Sequence, residues 1–404
     1  ALPISLSAAG TGDTRINVRG TFDNTRGDVA SNGRQLQIDA ARLINEHGTL
    51  SHGGTESLSL TVGQLEGAKG TIVSAGALAL HAGAVDHRGA TLNATQLTVQ
   101  AEAFNNQGGT VLATGAQASS LTVSGVLDNG NGGTLASNGD LQITADTLGN
   151  ADGTVQQAGT GTLAIDAHTL NGQGGTLLSN GSLALSGETT DLRAGTTAAQ
   201  RIRIETGELV TAGGTLTATS TDMLALNVRG RLDNTAGTVA SNGTLDLRAA
   251  QLLNNQGTVQ AAGAGSSQVA IGGALENRSG RILTTGNATV TATGLDNRGG
   301  TLHSDGSSSL TVTVDGLLDN SAQGTVSSGG NAHITTQSLN NEAGTLAAGA
   351  ALQLDTATQV RNTAGLIQAG TDLRMTSSGI DNHSGRIIAG TVDLDTRGYT
   401  LDNR

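Results

Sequence analysis

One short motif recurs through most of the chain at intervals of roughly 19–23 residues. Residues 22–33 read FDNTRGDVASNG, and residues 232–243 read LDNTAGTVASNG. Repeats of this length form solenoids, because a single repeat cannot bury its apolar side without a stacked neighbour. The chain is therefore expected to fold as a stack of similar coils.

Within a repeat, apolar and polar residues alternate, as in LQID at residues 36–39 and LDLR at residues 245–248. A period of two indicates strands, and no segment sustains the helical period of 3.6. Glycine and asparagine separate the strands, and we expect them there because they tolerate positive φ. The predicted fold class is all-β. We expect one continuous parallel β-helix of about 18–19 coils over residues 1–404, with irregular coils at 186–222.

The composition fits a narrow interior. Glycine supplies 61 residues and aromatic side chains only 1%, so the core must be built from small aliphatic groups. One position of the repeat is nearly always asparagine, and His87 takes its place once. We expect these amides to form a hydrogen-bonded ladder from coil to coil, with His87 as a substitute. The column consists of Asn24, Asn45, Asn106, Asn129, Asn150, Asn234, Asn254, Asn277, Asn297, Asn320, Asn341, Asn362, Asn382 and Asn403.

Several function classes are disfavoured. The net charge of −12 argues against a nucleic-acid partner, and the lack of cysteine excludes disulfides and thiolate metal sites. No two histidines stand at a zinc-binding spacing together with a third ligand, no nucleophile elbow is present, and no apolar run is long enough to span a membrane. We therefore expect no enzyme, no catalytic residues, no metal and no cofactor. Because the sequence stops just as a new repeat opens, we expect a fragment of a longer, monomeric fibre.

The repeat resembles those of filamentous haemagglutinin, the large secreted adhesin of two-partner secretion systems. The similarity extends from Phe22 to Arg404. Rod repeats of contact-dependent growth-inhibition exoproteins are similar too. The resemblance implies a right-handed β-helix, export of the parent chain through an outer-membrane pore, and a location outside the cell or on the bacterial surface. The absence of cysteine fits this route, because a disulfide would obstruct the threading of an unfolded chain.

Arg26-Gly27-Asp28 is the sharpest candidate site. This tripeptide is the one that integrins read, with the carboxylate on a receptor-bound divalent cation and the guanidinium in an acidic pocket. Asp28 replaces the threonine found at the matching position of other repeats. The alternative is that the triplet is an ordinary turn, since the repeat itself requires the glycine.

A second candidate is a glycan-binding face formed by Arg193, Arg201 and Arg203. Alternation places Arg201 and Arg203 on the outer face, where guanidinium groups can meet sulfate or carboxylate. The alternative is a solvated surface, because sugar sites favour aromatic platforms and this chain has almost none.

Two functions therefore follow from the sequence. The first is an adhesin shaft that attaches to host-cell receptors, integrins in particular, through Arg26-Gly27-Asp28 or through glycans. The second is a passive spacer rod, in an adhesin or a growth-inhibition exoprotein, with no binding site of its own.

Overall fold

All regular secondary structure in the computed structural model, which describes residues 5–404, is β-strand. The chain divides into two units, Ala1–Gln200 and Arg201–Arg404. The strands of the first unit are β1 (Ser5–Ala8), β2 (Thr14–Asp23), β3 (Asp28–Ser31), β4 (Leu36–Ile44), β5 (Thr49–His52), β6 (Ser57–Glu66), β7 (Thr71–Ser74), β8 (Ala77–Asp86), β9 (Thr91–Ala94), β10 (Gln96–Asn105), β11 (Thr110–Ala113), β12 (Ser119–Asp128), β13 (Thr134–Ser137), β14 (Leu141–Gly149), β15 (Thr154–Gln157), β16 (Thr162–Asn171), β17 (Thr176–Ser186), β18 (Thr189–Asp191) and the beginning of β19 (Thr196–Thr206).

The remaining strands belong to the second unit. They are β20 (Glu208–Val210), β21 (Thr215–Ala218), β22 (Leu224–Asp233), β23 (Thr238–Ser241), β24 (Leu245–Leu253), β25 (Thr258–Ala261), β26 (Ser267–Ile271), β27 (Ala274–Glu276), β28 (Arg281–Thr284), β29 (Ala288–Ala292), β30 (Gly294–Asp296), β31 (Thr301–Ser304), β32 (Leu310–Asp319), β33 (Thr325–Ser328), β34 (Ala332–Asn340), β35 (Thr345–Ala348), β36 (Leu352–Thr356), β37 (Val360–Arg361), β38 (Leu366–Ala369), β39 (Asp372–Thr376), β40 (Ile380–Asp381), β41 (Arg386–Ile388), β42 (Thr391–Asp395) and β43 (Leu401–Asp402).

Strands pair in parallel with their counterparts one coil later. In the first unit β3 pairs with β5, and β5 with β7, so that Asp28, Thr49 and Thr71 stand in one column. In the second unit β23 pairs with β25 in the same way. Each unit is thus a parallel β-solenoid, which confirms the predicted fold class. The right-handed winding of the coils, the single continuous β-helix and the irregular coils at 186–222 stay predictions.

Alternate side chains of each strand face inward. In β4, Leu36 and Ile38 are fully buried, whereas Gln37 and Asp39 between them are only partly covered. The same alternation fills both units with leucine, isoleucine, valine and alanine. The interior is therefore the small-residue core that the composition indicates.

The predicted asparagine ladder is present. From Asn234 to Asn403 in the second unit, each side-chain Nδ2 donates to the Oδ1 of the next asparagine at 2.6–2.7 Å. Successive members are 20–23 residues apart. In the first unit the column is interrupted, because Gly67, His87, Gly172 and Leu192 occupy its register.

The glycine that recurs at the turn of most repeats has a structural role that the sequence does not reveal. Gly48 does not adopt positive φ; a Cβ there would overlap with the carbonyl oxygen of Asn24 in the coil before. Positive φ falls instead on the preceding residue, His47, at 52°. Gly344 and Ala343 repeat the arrangement in the second unit. At these two positions glycine lets two coils approach closely. The expected positive φ of glycine is found instead at the preceding position of other turns, as at Gly89, Gly108 and Gly174, with φ of 60–66°.

Candidate functional sites

The Arg26-Gly27-Asp28 triplet lies on the turn that leads into β3. Arg26 and Asp28 are exposed, and Arg26 has a left-handed backbone with φ of 55°. The peptide N–H of Gly27 donates to the carbonyl of Asn24 at 2.9 Å, and its own carbonyl accepts from Thr49 N–H at 2.9 Å. The backbone of the triplet is therefore held by the coil stack, and only its two charged side chains project.

Those two charges are not neutralised locally. Within residues 5–404, neither the Arg26 guanidinium nor the Asp28 carboxylate forms an ion pair or a side-chain hydrogen bond. Asp28 also stands where the next coils carry Thr49 and Thr71, so the predicted substitution of a threonine is confirmed by register. The turn offers an unpaired cation and an unpaired anion separated by one glycine.

The arginines of the second candidate site form ion pairs with neighbouring carboxylates. Arg201 and Arg203 are exposed on β19, alternating with buried Ile202 and Ile204, as the period of two predicts. Arg201 Nη1 lies 3.5 Å from Asp222 Oδ2, and Arg203 Nη2 pairs with Glu205. Much of the positive charge that an anionic glycan would need is thus balanced within the second unit.

Arg193, in the first unit, belongs to a recurring turn. Its Nη2 lies 2.7 Å from Asp191 Oδ2, and its peptide N–H donates to Asp191 Oδ1 at 3.0 Å. The same Asp-x-Arg arrangement, in which an aspartate accepts from both the backbone and the guanidinium two residues on, recurs at Asp86–Arg88, Asp296–Arg298 and Asp402–Arg404. Its surroundings therefore do not set Arg193 apart from the other arginines at this turn.

The Asp296 carboxylate forms hydrogen bonds to arginines of two coils. Its carboxylate accepts from Arg298 Nη2 at 2.7 Å and from Arg278 Nε at 2.6 Å. Burial opposes ionisation, but the hydrogen bonds from Arg298 and Arg278 outweigh it and lower the pKa of Asp296 to about 2. The carboxylate bridges arginines of adjacent coils.

Two histidines lie inside the first unit. His87 is 1% exposed and occupies the asparagine column, as predicted. Its Nε2 lies 3.3 Å from the Thr110 carbonyl, but it does not continue the ladder to Asn106. His52 is also buried, between Ser31 and Ser74 of the adjacent coils, a position that was not predicted from the sequence. Its position two residues after buried Leu50 is the signal that indicates an inward side chain.

Among residues 5–404 no three histidine, aspartate or glutamate side chains are grouped so that they could hold a metal ion. The same part of the chain has no helix with the length and hydropathy needed to cross a membrane.

Comparison with known proteins gives one family. A model described as the haemagglutinin repeat matches the chain eight times, over residues 7–65, 56–129, 116–164, 158–236, 211–279, 260–322, 306–365 and 356–404. Searches of curated proteins and of solved structures found no match. The family matches overlap, so that together they extend from residue 7 to residue 404.

Proposed function

Because the chain belongs to the haemagglutinin repeat family, we propose that it is a rod segment of a secreted bacterial surface adhesin that attaches to host cells. Haemagglutinin repeats folded as a β-solenoid fit an adhesin rod. The same family relationship supports a location outside the cell or on its surface, with export of the parent chain through an outer-membrane pore. The partners on this proposal are the secretion pore and a host-cell receptor.

The Arg26-Gly27-Asp28 turn is the proposed attachment point. The observation that carries this proposal is that both charged side chains are exposed and unpaired on a backbone held by the coil stack. A receptor-bound divalent cation would take the Asp28 carboxylate, while an acidic pocket would take the Arg26 guanidinium. A held turn favours binding, since little conformational freedom is lost when the receptor docks.

The second candidate is a spacer rod without a binding site. It is favoured by the ion pairs of Arg193, Arg201 and Arg203, which leave the predicted glycan face largely balanced in charge. A spacer predicts no saturable binding of either cells or glycans by this chain.

We expect Asp28→Glu to weaken adhesion of integrin-bearing cells to the immobilised chain by about ten- to a hundredfold, since the longer side chain misplaces a charge-assisted contact. Adhesion would be measured against coating density, with and without a chelator of divalent cations. The matched control is Asp152→Glu, an exposed aspartate at a comparable turn of the same unit. Equal adhesion of the wild type and the Asp28→Glu variant would exclude the triplet, and no adhesion by any protein would support the spacer.

A further inference from the structure

Four Ser-Asn-Gly turns share one local geometry. In each, the buried serine hydroxyl accepts a hydrogen bond from the glycine N–H, at 3.1–3.2 Å. In each, the asparagine is exposed. The four asparagines are Asn32, Asn138, Asn180 and Asn242. They form a matched series in which the backbone environment is nearly constant.

Asn32 differs from the other three in the hydrogen bonding of its side-chain amide. Asn138 Nδ2 donates to Thr114 O at 2.8 Å, Asn180 Nδ2 to Ala158 O at 2.8 Å, and Asn242 Nδ2 to Thr219 O at 2.9 Å. Each of these bonds ties the amide to the coil before. The Asn32 amide makes no such bond to any residue of the range 5–404.

We propose that Asn32 is a self-modification site at which the chain loses the side-chain amide spontaneously. The Gly33 peptide nitrogen attacks Asn32 Cγ; a C–N bond forms, the bond from Cγ to the amide nitrogen breaks, and ammonia leaves with the proton of the Gly33 N–H. The product is a five-membered succinimide. Water then opens it at either carbonyl, which yields aspartate or iso-aspartate.

Two differences between the turns favour this reaction at Asn32. The amides of the three matched asparagines must first release a backbone carbonyl before they can turn toward the glycine nitrogen, whereas the Asn32 amide is already free to do so. Asp140 follows Gly139 at one of the matched turns, and its negative charge disfavours the deprotonated nitrogen that attacks there.

The product resembles the attachment turn in its chemistry. An iso-aspartate at position 32 places a carboxylate and the Arg34 guanidinium on either side of Gly33. The guanidinium makes two hydrogen bonds of 3.1 Å to Asp13 and lies 3.7 Å from Glu56 Oε1, and the three side chains are 44–59% exposed. Such surface pairs are weak, so Arg34 remains able to change partners. We expect the same cation-dependent receptors to recognise this second acid–glycine–arginine element, an expectation that rests on the proposed function.

The modification is tested by incubating the full chain at mildly alkaline pH and mapping its peptides by mass spectrometry, with enzymatic methyl labelling of iso-aspartate. We expect conversion at Asn32 to be about fivefold faster or more than at Asn138, Asn180 and Asn242. All four turns must release the glycine N–H from the serine hydroxyl, but at those three the asparagine amide must also leave a backbone carbonyl. The control is Asn32→Gln, in which ring closure is slower and the Asn32 signal should vanish. Equal rates at the four asparagines, or a faster rate at any tied one, would overturn the proposal.

Recognition is tested in a second arm with the Asp28→Glu chain, compared fresh and after incubation. Cation-dependent cell adhesion that returns on incubation, and does not return when Asn32→Gln is added, supports a role for the new carboxylate. Absence of any return overturns the recognition step. The proposed function is decided separately, by the adhesion of the fresh wild-type chain.

Discussion

Replacing Asn297 with alanine should lower the free energy of unfolding by about 3–5 kcal/mol. Asn297 is fully buried in the second unit. Its Oδ1 accepts from Asn277 Nδ2, and its own Nδ2 donates to Asn320 Oδ1, both at 2.7 Å. The same Nδ2 contacts the backbone carbonyl of Thr325 at 3.1 Å. The truncation removes all of these bonds and leaves buried partners without them, so the cost exceeds that of one ordinary hydrogen bond.

The loss should be concentrated near the missing rung, because a coil contacts only its neighbours. Urea unfolding followed by circular dichroism gives the overall change, and hydrogen exchange of peptides between residues 277 and 325 locates it. The control is Asn227→Ala, an exposed asparagine on β22 of the same unit, for which we expect a change within about 0.5 kcal/mol. Similar losses in the two variants would show that the ladder contributes no more than an exposed asparagine does.

Acid should destabilise the first unit through His87. Burial lowers the pKa of this imidazole to about 4, against the hydrogen bond to Thr110 and the charge of Asp86, which both raise it. The unfolded chain has the ordinary value of about 6.5. Above pH 6.5 neither state binds the proton, and the full stability is present. As the pH falls from 6.5 toward 4, only the unfolded state takes up the proton, and about 3 kcal/mol of stability is lost.

The variant His87→Asn should remove this part of the pH dependence and restore the ladder. In the wild type, His87 Nδ1 and Asn106 Oδ1 are both buried without a hydrogen-bond partner among the described residues. An asparagine at position 87 can donate to Asn106 Oδ1 and Thr110 O, as Asn24 does to Asn45 Oδ1 and Thr49 O. Urea titrations at pH 7.5 and pH 4.5 would be compared for the two chains. A pH dependence unchanged by the substitution would contradict the role of His87.

Much of the fold follows from sequence pattern alone. The alternation at residues 36–39 predicts which side chains face inward, and the spacing of Asn24 and Asn45 predicts that they meet. His87 is recognised from register in the same way. These predictions succeed because they depend only on the strand period and the coil length, and both quantities can be obtained from a single sequence.

Other features depend on contacts between coils that no single repeat encodes. The close approach of Gly48 to the Asn24 carbonyl is one, and it replaces the conformational reason expected for glycine. The pairings of Arg203 with Glu205 and of Arg193 with Asp191 lie within single coils, and they too are absent from the pattern, because they depend on side-chain rotamers. In the second unit Thr211 occupies the asparagine column and donates to Asn234 Oδ1 at 2.8 Å, a substitution that the sequence pattern did not single out.

The residue before each turn glycine has a fixed, left-handed backbone conformation, but its side chain is not constrained by the core. Arg26, His47, Lys69 and Asp152 all occupy this position in the first unit, each exposed and each with φ between 52° and 57°. The backbone strain, about 1 kcal/mol for a residue other than glycine, changes little with the side chain, and no core packing selects among side chains there. Mutation can therefore alter surface chemistry one coil at a time while folding is left intact.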